Sequence, residues 1–362
     1  MRIKKLQIQN FKSLVDFQLE NVPQFCAFVG PNASGKSNIF EALEFTNYLS
    51  KYSFEASSFF GDLSDIISYN PVPIDTSMNP DLRFSFVFED DILIMFELGK
   101  SNKLNDKQEL KSIGSYYQTK FQGVSFPTIL DIKKETERTN FLNEWKSNGG
   151  NYQNDYEIFI DNFSRIFIGK PELRKINQSS NRLLIDASNT AQIIYKIFQD
   201  ETKKEDFTEW LSILIPEFKS IEVVKSGIDG SFHIFVYEKS HTKPFPITLL
   251  SDGTKNILAL MAAVYQSNEP QFLCIEEPEN GLHPQAIEQL IELFRIKCEE
   301  EGHHIWLNTH SQTLVRSLKT EEIILVNKTN GETKAKQLSA KDDYGIKTDE
   351  AWLTNFYGGG LL

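Results

Sequence analysis

The stretch Gly30-Pro31-Asn32-Ala33-Ser34-Gly35-Lys36-Ser37 fits the spacing G-x-x-x-x-G-K-[ST], and its neighbours decide how it is read. The run before it, Phe25-Cys26-Ala27-Phe28-Val29, is apolar throughout and predicts a buried parallel strand. The segment after it, Asn38-Ile39-Phe40-Glu41-Ala42-Leu43, opens an amphipathic helix. In that order, strand, loop and helix make an anion cradle, because unpaired amides and the positive end of the helix dipole face whatever lies in the loop. Gly30 and Gly35 allow backbone paths that a side chain would block, Lys36 can reach terminal phosphates, and the Ser37 hydroxyl is placed for magnesium. Pro31, Asn32, Ala33, Ser34 and Asn38 complete the predicted phosphate-binding set.

The chain has 362 residues, enough for one large α/β domain or two modest ones with a well-buried core. Its three cysteines, Cys26, Cys274 and Cys298, each lie within an apolar or helical pattern and share no C-x-x-C spacing, so structural thiols in a reducing compartment are expected. No apolar run approaches the roughly 20 residues that cross a bilayer, and the N-terminus alternates basic and apolar residues. A cytoplasmic protein without membrane contact is the expectation. The net charge of −12 confines any nucleic-acid contact to a patch. The candidate patch is 165–182, where Arg165, Lys170, Arg174, Lys175 and Arg182 stand against Glu172 alone; a solvated loop and helix face is the other reading.

Period-two alternation over 3–11 and again over 15–19 leads into the strand before the loop, a three-strand opening. Residues 50–80 read as a loop with one or two helical turns, and 83–88 with 92–98 as an antiparallel hairpin. From 101 the pattern weakens. Helices are expected over 187–198 and 207–215, the second ended by Pro216, and strands over 221–225 and 232–238. Beyond Leu249 strands and helices alternate: helix 255–266, strand 272–275, helix 284–298, strand 305–308, helix 312–318 and strand 323–327. Alternation of that kind implies parallel pairing through right-handed crossovers. The division expected is an N-terminal lobe over 1–100, an inserted, mainly helical subdomain over 101–220, and a C-terminal lobe over 221–362.

The strand Phe272-Leu273-Cys274-Ile275 ends in Glu276-Glu277, with Pro278-Glu279-Asn280-Gly281-Leu282-His283-Pro284 following. One carboxylate at such a strand end can hold magnesium, and its neighbour can polarise a water in line with a terminal phosphate. Leu250-Ser251-Asp252-Gly253-Thr254 resembles the signature loop of ABC-type ATPases, and Ile275-Glu276-Glu277-Pro278 resembles their Walker B motif. Residues Glu279 to His283 resemble the D-loop, and Asn308-Thr309-His310 the switch histidine. Asn10-Phe11-Lys12-Ser13, Gly35-Lys36-Ser37-Asn38 and the Glu-Glu-Pro-Glu-Asn-Gly-Leu-His-Pro run are most similar to the soluble RecF/SMC branch, the AAA-type and OLD-like ATPases included. The likeness covers roughly 1–50 and 230–330.

The resemblance implies a P-loop NTPase with an ABC ATPase head, a mixed central sheet and an N-terminal antiparallel sheet. It implies ATP with Mg2+, held by Ser37 and Glu276, with Glu277, His310 and Lys36 as catalytic residues. It also implies a homodimer in which Ser251 and Gly253 of one copy meet the ATP on the other's phosphate loop. Departures from the pattern are Glu276 for Asp, Asp252 for Gly and His283 for the D-loop Asp, and no Q-loop glutamine is assigned. OLD relatives carry a nuclease domain, whereas only about fifty residues follow His310, so an effector is expected on another polypeptide. The functional expectation is an ATP-hydrolysing switch controlling that effector, as in anti-phage defence; a RecF-like DNA repair ATPase is the alternative.

Overall fold

The computed structural model describes residues 3–52, 66–69, 71–74, 82–88, 93–101, 109–121, 124–129, 159, 161–169 and 181–358. A hairpin of β1 (Ile3–Phe11) and β2 (Leu14–Val22) opens the chain, then β3 (Phe25–Val29) runs through the phosphate loop into α1 (Lys36–Tyr52). Next come β4 (Leu82–Phe88), β5 (Leu93–Ser101), β6 (Glu109–Phe121) and β7 (Val124–Ile129), and these join the opening hairpin in an antiparallel sheet ordered β2-β1-β4-β5-β6-β7. The three opening strands therefore divide: β3 leaves for another sheet. Its five residues are buried on both faces, which only a sheet covered on both sides can accommodate.

That second sheet is built from distant segments. After β8 (Phe163–Ile166) the chain forms α2 (Thr190–Ile197), α3 (Glu201–Leu214), β9 (Phe218–Lys225), β10 (Phe232–Glu238), β11 (Phe245–Pro246) and α4 (Asp252–Tyr265). It continues with β12 (Phe272–Glu276), α5 (Pro284–Glu301), β13 (His304–Thr309), α6 (Gln312–Arg316), β14 (Ile323–Thr329), β15 (Glu332–Gln337) and α7 (Thr348–Leu353). The central order is β15-β14-β3-β13-β12-β8, parallel except for β15, and β9 to β11 form a small antiparallel sheet.

Segment 101–220 holds both kinds of element among its described residues: strands β6 and β7 lengthen the N-terminal sheet, β8 edges the central one, and helices α2 and α3 follow. The weak polarity pattern over 109–129 concealed two paired strands. Helix α3 begins at Glu201, six residues before the apolar start that periodicity marked, because Asp200 caps it through Thr202 N at 3.0 Å and Lys203 N at 3.2 Å.

Side chains alternating along the central strands feed two cores. Cys26, Phe28, Cys274 and Trp306 face α1 and the N-terminal sheet, while Ala27, Val29, Leu273, Ile275, Ile305 and Leu307 face α4 and α5. The phenylalanines fill the first core: Phe28 lies 5.5 Å from both Phe40 and Trp306, and Phe11, Phe45 and Phe84 form a triangle with 5.6 Å sides. All three cysteines are buried free thiols. Among the described residues, no helix is long and apolar enough to cross a membrane.

Candidate active site

The strand ends converge on the phosphate loop because β3, β13 and β12 are parallel and adjacent. Glu276 pairs in register with Asn308, and Asn308 with Phe28, so both polar side chains point to the α1 side, where Ser37 lies in the first turn of the helix. Ser37 Oγ donates to Glu276 Oε2 at 2.6 Å, and Asn308 Nδ2 reaches both Ser37 Oγ and Glu276 Oε2 at 3.2 Å. A hydroxyl and a carboxylate this close are the hard-oxygen donors a Mg2+ ion takes, and the buried Asn308 Oδ1 has no hydrogen-bond partner among the described residues. The residues present fit that ion.

The loop itself is braced from behind. Gly35 has φ +98°, and a Cβ there would lie 1.9 Å from Thr333 Oγ1, so both the backbone angle and the space require glycine. Thr333 Oγ1 donates to Ser34 O at 2.9 Å and pairs with Ser13 Oγ at 2.7 Å, while Asn38 Nδ2 donates to Ser13 Oγ at 2.7 Å. The Asn10-Phe11-Lys12-Ser13 motif is thus a turn that supports the loop: Lys12 Nζ binds Glu41 of α1 at 2.6 Å, and Asn10 is bonded to the backbone of Val72 in both directions at 2.9 Å. Beside it opens a cleft of about 400 Å3, lined among others by Lys12, Ser13, Asn38, Tyr69 and Lys328.

Lys36 is only 7% exposed, and its Nζ donates to the carbonyls of Gly30 and Pro31 at 2.8 Å each. Burial lowers its pKa to about 8, against the opposing pull of Glu277, Glu276 and Glu279. Glu277 follows the strand with φ +50°, a left-handed turn that separates its direction from that of Glu276, and its N–H donates to Asn308 O at 2.8 Å. Its carboxylate lies 3.6 Å from His310 Nδ1 and accepts from Asn280 Nδ2 at 3.0 Å. Thr309 Oγ1 donates to the buried Glu279 at 2.5 Å, tying the D-loop to the base of the histidine loop. Burial raises the Glu279 pKa.

Ser251 and Gly253 lie at the start of α4, which begins at Asp252, three residues earlier than the apolar pattern marked. Ser251 is its N-cap, accepting from Thr254 N at 3.1 Å. A Cβ on Gly253 would sit 2.4 Å from Gly281 O, so this helix start packs directly on the D-loop, and Asn256 Nδ2 adds a 2.6 Å bond to Asn280 O. His283 caps α5 through Nδ1, accepting from Gln285 N at 3.3 Å. The fold thus gathers Lys36, Ser37, Glu276, Glu277 and His310, and sets Gly253, two residues after Ser251, against the loop 279–283.

One expectation needs correction. Arg165 is not part of a basic surface: its guanidinium is buried between Glu276 and Glu44, and those two carboxylates hold its pKa above the ordinary value although burial alone would lower it. Arg182 also turns inward, donating to Ser164 Oγ at 3.3 Å and to Asn162, and burial pulls its pKa down to about 10. Lys170, Glu172, Arg174 and Lys175 lie outside the described residues. Composition counted charges there without knowing that β8 would run beside β12. Thr333 and Glu44 were missed as well, since nothing local marks a residue whose partner is brought to it from a distant strand; Ser13 was legible only as the last residue of the Asn10-Phe11-Lys12-Ser13 run.

A family model described as "AAA domain, putative AbiEii toxin, Type IV TA system" matches residues 25–316. An "ATP/GTP phosphatase" of Helicobacter pylori is 23% identical over 369 residues, covering 95% of this chain and 94% of its own length. The DNA replication and repair protein RecF of Lactococcus lactis is 40% identical over 45 residues, 12% of each chain. Among solved structures, an Smc head bound to the C-winged helix domain of ScpA superposes with TM-score 0.56 at 18% identity, covering 96% of this chain and 100% of that one. The Pyrococcus furiosus Smc head with an extended coiled coil, bound to the ScpA C-terminal domain, gives 0.53 at 16% identity, covering 94% and 97%. The fold is that of these Smc heads, as the sequence motifs led one to expect.

Proposed function

The chain belongs to the AAA-domain family whose model spans residues 25–316, and from that premise we propose that it binds ATP with Mg2+ at the phosphate loop and hydrolyses it as a switch. The observation that carries this reading is the Ser37–Glu276–Asn308 cluster at one strand end beside the Glu277–His310 pair at the next turn. Ser37 and Glu276 would hold the ion, which would supply neutralisation of charge on the phosphate oxygens. Lys36 exchanges its two carbonyl bonds for phosphate oxygens. Glu277 orients the attacking water and accepts its proton, and His310, 3.6 Å from that carboxylate, reports on the terminal phosphate. The cleft beside Asn38 takes the base and ribose, with Tyr69, 93% exposed, at its rim.

The exposed start of α4, with Ser251, Asp252 and the neighbouring Leu249, 71% exposed, supports a head-to-tail homodimer in which a second copy's ATP docks there. The dimer then closes with ATP and opens after hydrolysis, and through that cycle governs a separately encoded protein effector in anti-phage defence. The short RecF match favours a second reading, a DNA-bound repair ATPase, but the burial of Arg165 and Arg182 removes two of the cations it relied on.

Glu277→Gln tests the switch. The variant should keep ATP binding, lose turnover by about two orders of magnitude or more, and elute as a dimer in ATP while the wild type returns to monomer. Wild-type turnover by the variant would remove Glu277 as the base, and a monomer in saturating ATP would remove the dimer.

A further inference from the structure

Arg165 stands on the outer strand of the central sheet, beside Cys274 in register, and therefore on the same face as Glu276 two residues further along. From there the guanidinium reaches forward to the strand end. Its Nε donates to Glu276 Oε1 at 2.8 Å, Nη2 donates to the same oxygen, and Nη1 donates to Glu44 Oε2 of α1 at 2.8 Å. The other oxygen of Glu276, Oε2, is left to Ser37 at 2.6 Å and Asn308 at 3.2 Å. The two oxygens of one carboxylate are thus divided between an arginine fork and the start of the phosphate-loop helix.

A glutamate has one more rotatable bond than the aspartate usual at this strand end, so by itself it is less well placed to offer a chosen oxygen. Arg165 removes that freedom. A planar guanidinium bonded on two edges fixes direction as well as distance, which a lysine's point charge does not. Side-chain exposures of 11% for Arg165, 1% for Glu276 and 3% for Glu44 leave the arrangement little room to relax.

We propose that Arg165 is a positioning residue for the magnesium ligand Glu276: anchored to α1 through Glu44, it holds the carboxylate by Oε1 so that Oε2 is presented to Ser37. This rests on the reading of Ser37 and Glu276 as the cation-holding pair. The other role open to such a residue is a purely structural tie between β8 and α1, and the two differ in what they predict for the ion.

The test is the affinity of the full chain for ADP, measured with excess EDTA and again in Mg2+, with bound Mn2+ followed by electron paramagnetic resonance. In Arg165→Met the EDTA affinity should match wild type, while the strengthening by Mg2+ and the affinity for Mn2+ fall by about 10- to 100-fold, the range expected when a ligand's outer partner is lost. Arg165→Lys should lie between. Normal metal dependence in Arg165→Met, with only a lowered melting temperature, overturns the proposal in favour of the structural tie. Ser37→Ala and Glu276→Gln separate the failures: if neither weakens the metal effect, the site reading itself is wrong; if both do and Arg165→Met does not, only Arg165 is misassigned. Should Arg165→Met fail to fold, the Lys variant reads the same quantities. In the wild type, the Arg165 Nε–H should stay protected from solvent exchange when Mg2+ and ADP are added, and its release would count against the proposal.

Discussion

Raising the pH should weaken nucleotide binding through Lys36. In the free protein its ammonium is enclosed by the phosphate loop, bonded to two carbonyl oxygens at 2.8 Å, and burial brings its pKa from 10.5 to about 8. A bound polyphosphate favours the charged form and lifts that pKa again. If only the ammonium form binds, the competent fraction falls from about nine-tenths at pH 7 to about one-tenth at pH 9, so affinity falls by up to about tenfold. At pH 8.5, binding should take up about three-quarters of a proton, readable by calorimetry in two buffers of different ionisation enthalpy. The same depressed pKa acts on folding with a definite sign. Between about pH 8 and 10.5 the unfolded chain binds the extra proton, so Lys36 opposes folding at neutral pH and that opposition fades as pH rises through this window. A nucleotide affinity flat from pH 7 to 9, without proton uptake, would refute the reasoning.

Gly253→Ala should separate the start of α4 from the loop 279–283, because the new methyl would fall 2.4 Å from Gly281 O; a destabilisation of about 1–3 kcal/mol in urea titration is expected, with loss of ATP turnover but near-normal ADP binding. Thr333→Val keeps the shape behind Gly35 but leaves Ser34 O and Ser13 without a shared partner, so nucleotide affinity should fall and unfolding cost about 1–3 kcal/mol less; an unchanged affinity by fluorescence titration would show that the brace is dispensable.

What the sequence determined by itself is local. The phosphate loop needs a strand, two glycines, a lysine, a hydroxyl and a helix within a few residues, so spacing alone located it. The apolar run Phe272–Ile275 ending in two glutamates, and the stripe Ile287, Leu290, Ile291, Phe294, Cys298 of α5, were legible because burial imposes a period that composition displays. The tertiary structure decided what depends on which strand lies beside which. Arg165 read as a surface cation until β8 was set next to β12, and its charge then belonged to Glu276. Thr333 lies 299 residues from the carbonyl it supports, and Ser13 320 from Thr333, separations at which a hydroxyl carries no signal of its partner. Side-chain chemistry is written in the chain, whereas the low-dielectric neighbourhood that gives a charge its role is assembled only when distant strands pair.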